Sequence, residues 1–312
     1  MTDPNPSDMA PPAGAPRDLG GGIRAILAPN PSPMTHWGTN TYLLGHRRLA
    51  VIDPGPDDPA HLAAILGALG PGQSISHILV THAHLDHAPL AARLSAETGA
   101  PVLAYGDARA GRSAVMTGLA EAGEIGGGEG VDAGFAPDVP LADGEIVTGD
   151  GWQITAHWTP GHFGNHMCFQ SGETMFSGDL VMGWASTLIS PPDGDLTQFR
   201  ASCARLAGAR PARLLPGHGA PVADPAARIG WLLAHRDARE AAILAALSDG
   251  PACAHMLAAR IYTDTPTALM PAAARNTLAH LLDLMQKSQV KPLAPLTPQT
   301  RFSLPSAMRK RP

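Results

Sequence analysis

Residues 81–87 read Thr81-His82-Ala83-His84-Leu85-Asp86-His87 and follow the apolar run His77-Ile78-Leu79-Val80. Such an apolar run is typical of a buried strand. Because side chains two residues apart lie on the same face of a strand, His82 and His84 are expected to point the same way. Asp86 and His87 then lie in the loop after the strand. Three imidazoles and one carboxylate so close together suit a pair of divalent cations, and the alternative is a histidine-rich surface turn.

Four other motifs place a polar residue beside glycine or proline near the end of a short apolar run. They are Val51-Ile52-Asp53-Pro54-Gly55, Thr159-Pro160-Gly161-His162, Phe176-Ser177-Gly178-Asp179 and Leu215-Pro216-Gly217-His218-Gly219. In this order the motifs resemble those of the metallo-β-lactamase-fold hydrolases, and the likeness covers roughly residues 20–290. The resemblance implies an α/β fold, specifically an αββα four-layer sandwich. The opening Gly38-Thr39-Asn40-Thr41-Tyr42-Leu43 and the helix-rich end resemble the β-lactamase-like protein 2 branch, which carries a small C-terminal winged-helix domain.

The resemblance also assigns metal ligands residue by residue. His82, His84 and His162 are expected to bind one metal ion. Asp86, His87 and His218 are expected to bind the other, and Asp179 is expected to bridge the two. Asp86 is in addition a candidate catalytic residue. The two divalent ions are expected to be zinc, although iron and manganese suit the same ligands.

Some of these assignments leave alternatives open. His157 and His166 compete with His162 for its role, with His157 read as a packed or surface residue and His166 as a supporting one. Asp179 follows Ser177-Gly178 and is alternatively a turn residue. Asp53 either opens a turn or accepts a proton from a metal-bound imidazole and thereby fixes its tautomer.

Candidates for the substrate pocket come from the loops that flank the expected cleft. Both tryptophans among them are alternatively residues of the hydrophobic core. The candidates are Trp37, Asn40, Trp184 and Thr187.

Length and composition predict one large domain and a small one in a chain of 312 residues. A net charge of −5 gives no general attraction to nucleic acid or to an anionic membrane. Three scattered cysteines favour reduced thiols in the cytoplasm. No apolar run is long enough to span a membrane, and the beginning of the chain does not resemble a secretory signal.

The pattern of strands, helices and turns predicts four regions. Residues 1–18 are expected to be a disordered leader, 19–222 the catalytic domain, 223–291 a winged-helix-like domain and 292–312 a flexible tail. Within the catalytic domain, residues 118–140 lack any sustained period. This segment is either a mobile cover over the site or a surface insertion.

Three functions are compatible with this sequence. The preferred one is a dinuclear metal-dependent hydrolase that uses a metal-bridging hydroxide on a small ester, thioester or lactone. The alternative is an endoribonuclease that cleaves single-stranded RNA, and the third is a non-catalytic winged-helix regulator with a metal-binding domain. Between Pro225 and Lys291 only seven basic residues face five acidic ones, a weak excess for a surface that tracks phosphates. A small-molecule substrate is therefore favoured over nucleic acid.

Overall fold

The computed structural model describes residues 9–306, and two stacked β-sheets form its centre. The first sheet has seven strands in chain order, antiparallel as far as the fourth strand and parallel from there on. These strands are β1 (Arg17–Asp18), β2 (Ile23–Leu27), β3 (Asn40–Leu44), β4 (Arg48–Ile52), β5 (Ser74–Leu79), β6 (Val102–Ala104) and β7 (Val139–Pro140).

The second sheet has five strands, β8 (Ile146–Thr148), β9 (Gln153–Trp158), β10 (Met167–Ser171), β11 (Thr174–Gly178) and β12 (Arg213–Pro216). Their spatial order is β12-β11-β10-β9-β8. Only β11 and β12 are parallel neighbours, and the other pairs are antiparallel. As a result β9, β11 and β12 all run in the same direction.

Helices flank both sheets and continue beyond them. Three of the helices begin with an aspartate, Asp58, Asp195 or Asp224, whose carboxylate accepts a hydrogen bond from a backbone N–H of the first turn. The helices are α1 (Pro59–Gly67), α2 (Leu90–Thr98), α3 (Ala114–Ala122), α4 (Leu196–Ala209), α5 (Pro225–Ser248), α6 (Ala254–Ile261), a 3-10 helix (Thr267–Leu269) and α7 (Met270–Gln286). A short hairpin of β13 (Lys291–Pro292) and β14 (Phe302–Ser303) follows.

The strands of the first sheet are apolar on both faces, because each face is covered by another layer. One set of side chains, including Leu43, Val51 and Ile78, packs against α1 and α2. The alternate set, including Tyr42 and Ile52, packs against the second sheet. The outer face of the second sheet in turn packs against α4 and α5. The predicted αββα order of layers is therefore confirmed.

Helix α5 belongs to two hydrophobic clusters. Ile229 and Leu232 in its first half pack with α4 and the second sheet. Ile243 and Leu247 in its second half pack with α6, α7 and β14 in a second cluster, here called the C-terminal cluster. The small C-terminal unit is therefore joined to the sandwich by one continuous helix.

The described parts of the two terminal regions contain more secondary structure than predicted. Arg17 and Asp18 pair with β2, so the prediction of a disordered leader is wrong there, and residues 1–8 lie outside the described part. The prediction of a flexible tail is wrong for residues 292–306. Phe302 is buried in the C-terminal cluster and its backbone N–H donates to Ala252 O at 2.9 Å. Residues 307–312 lie outside the described part.

The segment 118–140 is not a structureless loop. Helix α3 includes its first residues, and β7 ends it by pairing with β6. Between them Ile125 packs into the C-terminal cluster, and Val131 forms a β-bridge with His84. The segment thus lies directly beside the histidine-rich stretch, and whether it moves as a cover stays a prediction.

Within residues 9–306, no helix is both long enough and apolar enough to cross a membrane.

Candidate metal centre

The candidate ligands come from loops that follow the carboxyl ends of strands. Residues 81–87 follow β5, and Asp53 follows the parallel neighbour β4. In the second sheet His162 follows β9, Asp179 follows β11 and His218 follows β12. Because these strands run in the same direction within each sheet, their loops meet at one edge of the sandwich.

The first three predicted ligands form one group. Nε2 of His82 lies 2.9 Å from Nδ1 of His84, and Nε2 of His162 lies 3.1 Å from the same atom. His82 and His162 are buried, whereas His84 is partly exposed. The three ring nitrogens thus converge on one point, as a tridentate metal site requires.

The second predicted group lies next to the first. Nε2 of His218 lies 3.1 Å from Oδ2 of Asp86 and 3.3 Å from Nε2 of His87. Asp179 lies between the groups, with Oδ2 3.8 Å from Nε2 of His162 and 3.3 Å from Nε2 of His218. The structure therefore brings all seven predicted ligands together, with Asp179 in the position that a bridging carboxylate needs.

Hydrogen bonds on the outer side of the rings fix the imidazole tautomers. Nδ1 of His162 donates to Leu188 O at 2.7 Å, and Nδ1 of His218 donates to Gly38 O at 3.1 Å. Nδ1 of His87 faces Oδ2 of Asp53 at 2.9 Å. In the neutral ring each of these bonds leaves a lone pair on Nε2. That lone pair points into the cluster.

His82 is oriented in the same way through a hydroxyl. The hydroxyl of Thr81 donates to Asp53 Oδ2 at 2.8 Å, so its oxygen is free to accept from Nδ1 of His82 at 3.0 Å. Lone pairs of His82 and His162 then both face Nδ1 of His84, which carries at most one proton to share between them. Cations remove this mismatch.

Asp53 connects residues of both ligand groups. Besides the contacts with His87 and the Thr81 hydroxyl, its Oδ1 accepts from the Thr81 backbone N–H at 2.7 Å. The residue is buried and has a φ of 50°, in the left-handed region that costs roughly 1–3 kcal/mol for a non-glycine residue. The geometry agrees with the predicted tautomer-fixing role, which remains a prediction.

The titration behaviour of the two groups differs. Burial lowers the pKa of His84 to about 3, and it lowers the pKa values of His82 and His162 as well. Burial acts in the same direction on His218, but the adjacent Asp179 carboxylate outweighs it and raises its pKa to about 9. These shifts favour neutral imidazoles in the first group and a protonated His218 beside Asp179 in the second.

The donor set fits divalent cations. Five borderline imidazole nitrogens and two harder carboxylates form a ligand set that zinc, iron and manganese accept. Oδ1 of Asp179 is buried and has no hydrogen-bond partner among the described residues, which leaves a lone pair for a cation. Gly217 keeps the space beside it open, because a Cβ there would overlap Asp179 Oδ1. Within residues 9–306, these side chains are the ones that would hold two metal ions.

The competing histidines lie outside the cluster. His157 points to the side chain of Gln170, 3.0 Å from its Oε1, as expected of a packed or surface residue. His166 is fully buried, and its Nε2 accepts the backbone N–H of Asp179 at 3.2 Å. His166 thus supports the loop that carries Asp179.

Two of the predicted pocket residues, Asn40 and Thr187, form hydrogen bonds within the protein, and their place in a pocket stays a prediction. Asn40 is buried, and its amide donates to Pro216 O and Gly219 O on either side of His218. Thr187 is fully buried, and its hydroxyl donates to Leu180 O. Both side chains hold loops through these hydrogen bonds.

The two tryptophans are half-buried and form a stack with a histidine that the sequence reasoning missed. The ring of His36 lies between those of Trp37 and Trp184, at 4.7 Å from each. The stack lies against Gly219, next to His218. Both tryptophans thus remain candidates for a pocket wall.

Other supporting groups had no signal in the sequence pattern. The carbonyls of Gly38 and Leu188 orient two rings, yet a carbonyl acceptor is available at any residue. Thr81 was recognisable only as the first residue of the histidine-rich stretch.

The fold and this arrangement of side chains define a class of protein. The chain belongs to the metallo-beta-lactamase superfamily, whose family model matches residues 34–218, and it is a hydrolase. A second model, the beta-lactamase associated winged helix domain, matches residues 254–294. The presence of a C-terminal winged-helix domain is therefore confirmed, and its predicted bounds of 223–291 stay a prediction.

Particular relatives narrow this assignment. The chain is 32% identical to the beta-lactamase-like protein 2 homolog of Drosophila melanogaster, over 85% of this chain and 88% of that protein. The predicted resemblance to this branch is therefore confirmed. The chain is also 30% identical to an atrochrysone carboxyl ACP thioesterase of Claviceps purpurea, over 72% of this chain and 65% of that protein. A metallo-beta-lactamase family protein from Thermus thermophilus has a similar structure, with a TM-score of 0.74, 26% identity and coverage of 92% of this chain and 100% of that one.

Proposed function

We propose that the protein is a dinuclear metal-dependent hydrolase of small thioesters, esters or lactones. The observation that carries the proposal is the convergence of two ligand groups on either side of Asp179. Zinc is the expected metal because imidazole dominates the donor set. When bound, two such cations would supply a hydroxide nucleophile at neutral pH and would stabilise negative charge that develops on the acyl oxygen.

The protein's own residues determine how a substrate reaches this centre. His84 and Asp86 are its partly exposed members, and the Asp86 side chain is 26% exposed. The other members are buried, so the substrate carbonyl approaches from the side of residues 84–86. Asp86 is the carboxylate on that side and is proposed to orient the attacking water and to accept its proton.

Apolar and aromatic side chains border the candidate metal centre. Leu85, between two candidate ligands, is 53% exposed. On the His218 side, the stack of Trp37, His36 and Trp184 offers flat ring surface. This border suits an apolar or planar acyl group. The thioesterase named among the relatives supports a thioester as one member of the substrate class.

The basic residues of the C-terminal region support a small-molecule substrate over RNA. Arg228 and Arg236 are buried, with exposures of 5% and 1%, and donate to backbone carbonyls of the loop after Asp179. Arg275 donates to Ser190 and Ile125, and Lys287 pairs with Glu240 and Asp283. Few cations remain to track a phosphate backbone, on which nucleic-acid affinity depends.

The cysteines support a reducing compartment for the enzyme. Cys168, Cys203 and Cys253 are all free thiols, and we propose a cytoplasmic location on this ground.

The test begins with elemental analysis of protein purified without added metal. The proposal expects two divalent ions per chain, zinc foremost. The same protein is then assayed on thioesters, esters and lactones with apolar acyl groups, before and after chelation. Metal-dependent turnover of at least one of these classes is expected.

Single-stranded RNA at two salt concentrations is the comparison substrate. Cleavage of RNA with a steep salt dependence, and none of the acyl substrates, would replace the proposal with the ribonuclease function. Two bound ions without turnover of any substrate would instead favour a non-catalytic metal-binding regulator.

A further inference from the structure

The Leu188 carbonyl orients His162, and C-terminal helices hold the chain on both sides of it. The carbonyl of Thr187, the preceding residue, accepts a hydrogen bond from the guanidinium of Arg236 on α5. The backbone N–H of Ile189, the following residue, donates to Oδ1 of Asn276 on α7 at 3.0 Å. The position of the Leu188 carbonyl is therefore set from outside its own loop.

Arg236 and Asn276 act as a single unit. The guanidinium of Arg236 also donates to Oδ1 of Asn276, at 3.2 Å. One amide oxygen thus receives both the Ile189 N–H and the arginine, while the same arginine reaches Thr187 O. A displacement of either side chain would shift both flanks of Leu188.

The burial of Arg236 indicates that the Arg236–Asn276 pair does more than fill space in the core. Its exposure is 1%, and it makes no ion pair with any residue in the range 9–306. Its guanidinium lies over the ring of Phe199, 5.2 Å from the centroid. Burial of a cation without a carboxylate partner is costly, and an apolar side chain would fill the same volume at lower cost.

We propose that Arg236 and Asn276 are positioning residues of the metal centre. They hold the Leu188 carbonyl where it accepts the Nδ1–H of His162 at 2.7 Å, which keeps the Nε2 lone pair directed at the His82 and His84 nitrogens. The inference rests on the proposed role of His162 as a metal ligand. It makes α5 and the winged-helix domain part of the apparatus that retains one of the two ions.

The test is a titration of chelator-treated, full-length protein with Zn²⁺ and with Co²⁺. Asn276→Ala and Arg236→Lys are each expected to weaken the binding of one ion about tenfold and to alter the visible absorption of the Co²⁺ protein. Lysine keeps the charge but lacks the fork that reaches two acceptors at once. Asn276→Asp keeps an acceptor for Ile189 and Arg236, so wild-type affinity is expected to return.

Asp283 provides the matched control. It lies on the same helix as Asn276 and contacts the sandwich at Thr197. There Oγ1 of Thr197 donates a hydrogen bond to Oδ1 of Asp283 at 2.7 Å. Asp283→Ala is expected to lower the melting temperature and to leave both affinities unchanged. Such a result separates positioning from general support of the interface.

The outcomes distinguish this inference from the proposed function. His162→Ala that still binds both ions with wild-type affinity would remove the ligand assignment on which both depend. If His162→Ala loses an ion while Arg236→Lys and a folded Asn276→Ala keep both at wild-type affinity, only the positioning inference is overturned. Should Asn276→Ala fail to fold, Arg236→Lys decides alone.

Discussion

Oδ2 of Asp53 lies 2.9 Å from Nδ1 of His87 and 2.8 Å from the hydroxyl of Thr81. Through the threonine, the same oxygen also determines the tautomer of His82, since Oγ1 of Thr81 can then only accept from that ring. One carboxylate oxygen thus orients an imidazole in each of the two ligand groups. Removing it should affect both.

Asp53→Ala is accordingly expected to weaken the binding of both metal ions by about 10–100-fold. Zn²⁺ titration of the chelator-treated protein measures this. Asp58→Ala is the control, because Asp58 caps α1 and its loss should cost about 1 kcal/mol of stability without changing metal affinity. Unchanged zinc binding in Asp53→Ala would contradict the proposed role.

His84→Ala should lose bound metal and activity together while the fold survives. His84 is partly exposed and contributes its nitrogen to the first group, so its removal leaves no large cavity. Elemental analysis, turnover and circular dichroism check the three parts of this expectation. His157→Ala, which removes a histidine bonded only to groups outside the cluster, should retain metal and activity. Full activity in His84→Ala would exclude the mechanism.

Zinc affinity should rise with pH. The Asp179 carboxylate overcomes the effect of burial and raises the pKa of His218 to about 9, so at neutral pH a metal must displace its proton. Affinity should therefore increase about tenfold per pH unit for each displaced proton, and the contribution of the His218 proton should level off above about pH 9. Calorimetry in buffers of different ionisation enthalpy counts the released protons. A zinc affinity that stays constant between pH 6.5 and 9 would contradict the expected displacement of the His218 proton.

The same shift determines the pH dependence of the metal-free protein. Because the pKa of His218 is higher in the folded state than its ordinary value of 6.5, its protonation stabilises the fold fully below pH 6.5. This contribution is lost as the pH rises through about 9. Melting temperatures of chelated wild type should fall over that range, and those of His218→Ala should fall less.

Gly217→Ala should disturb the centre with a single methyl group. A Cβ at this position would overlap Asp179 Oδ1 and lie 2.6 Å from Cε1 of His87, so both side chains would have to move. Loss of at least one bound ion is expected, measured by elemental analysis. Gly230→Ala is the matched control, because Gly230 lies within α5 with nothing near its Cβ position. That change should raise stability by roughly 0.5–1 kcal/mol and leave metal content unchanged.

The convergence of the candidate ligands was predictable because each lies in a loop shortly after a strand and carries a local signal. The spacing of His82 and His84 and the glycine neighbours of His218 are visible in a few adjacent residues. The role of Leu188 was not predictable, since it depends on a backbone carbonyl and on contacts with helices far along the chain. The hydrogen bonds of Asn40 and Thr187 within the protein were not predictable, because position in a loop does not tell which way a side chain faces.

The hairpin of β13 and β14 was missed for a related reason. Strand β14 has two residues, too few for a periodic pattern. Its hydrogen bonds go to β13 and to Ala252, so its order comes from pairing across a large sequence separation. Local composition, rich in proline and polar residues, indicated only a tail.

Helix α5, with 24 residues, is a rod of about 36 Å that carries Ile229 in one hydrophobic cluster and Ile243 in another. Both clusters include residues of α5, so the loss of packing in one cluster would also unfold part of the helix on which the other cluster depends. Heat should consequently unfold the sandwich and the winged-helix domain in one cooperative transition. A truncation that ends before Pro225 would remove α5 and expose the apolar outer face of the second sheet to water.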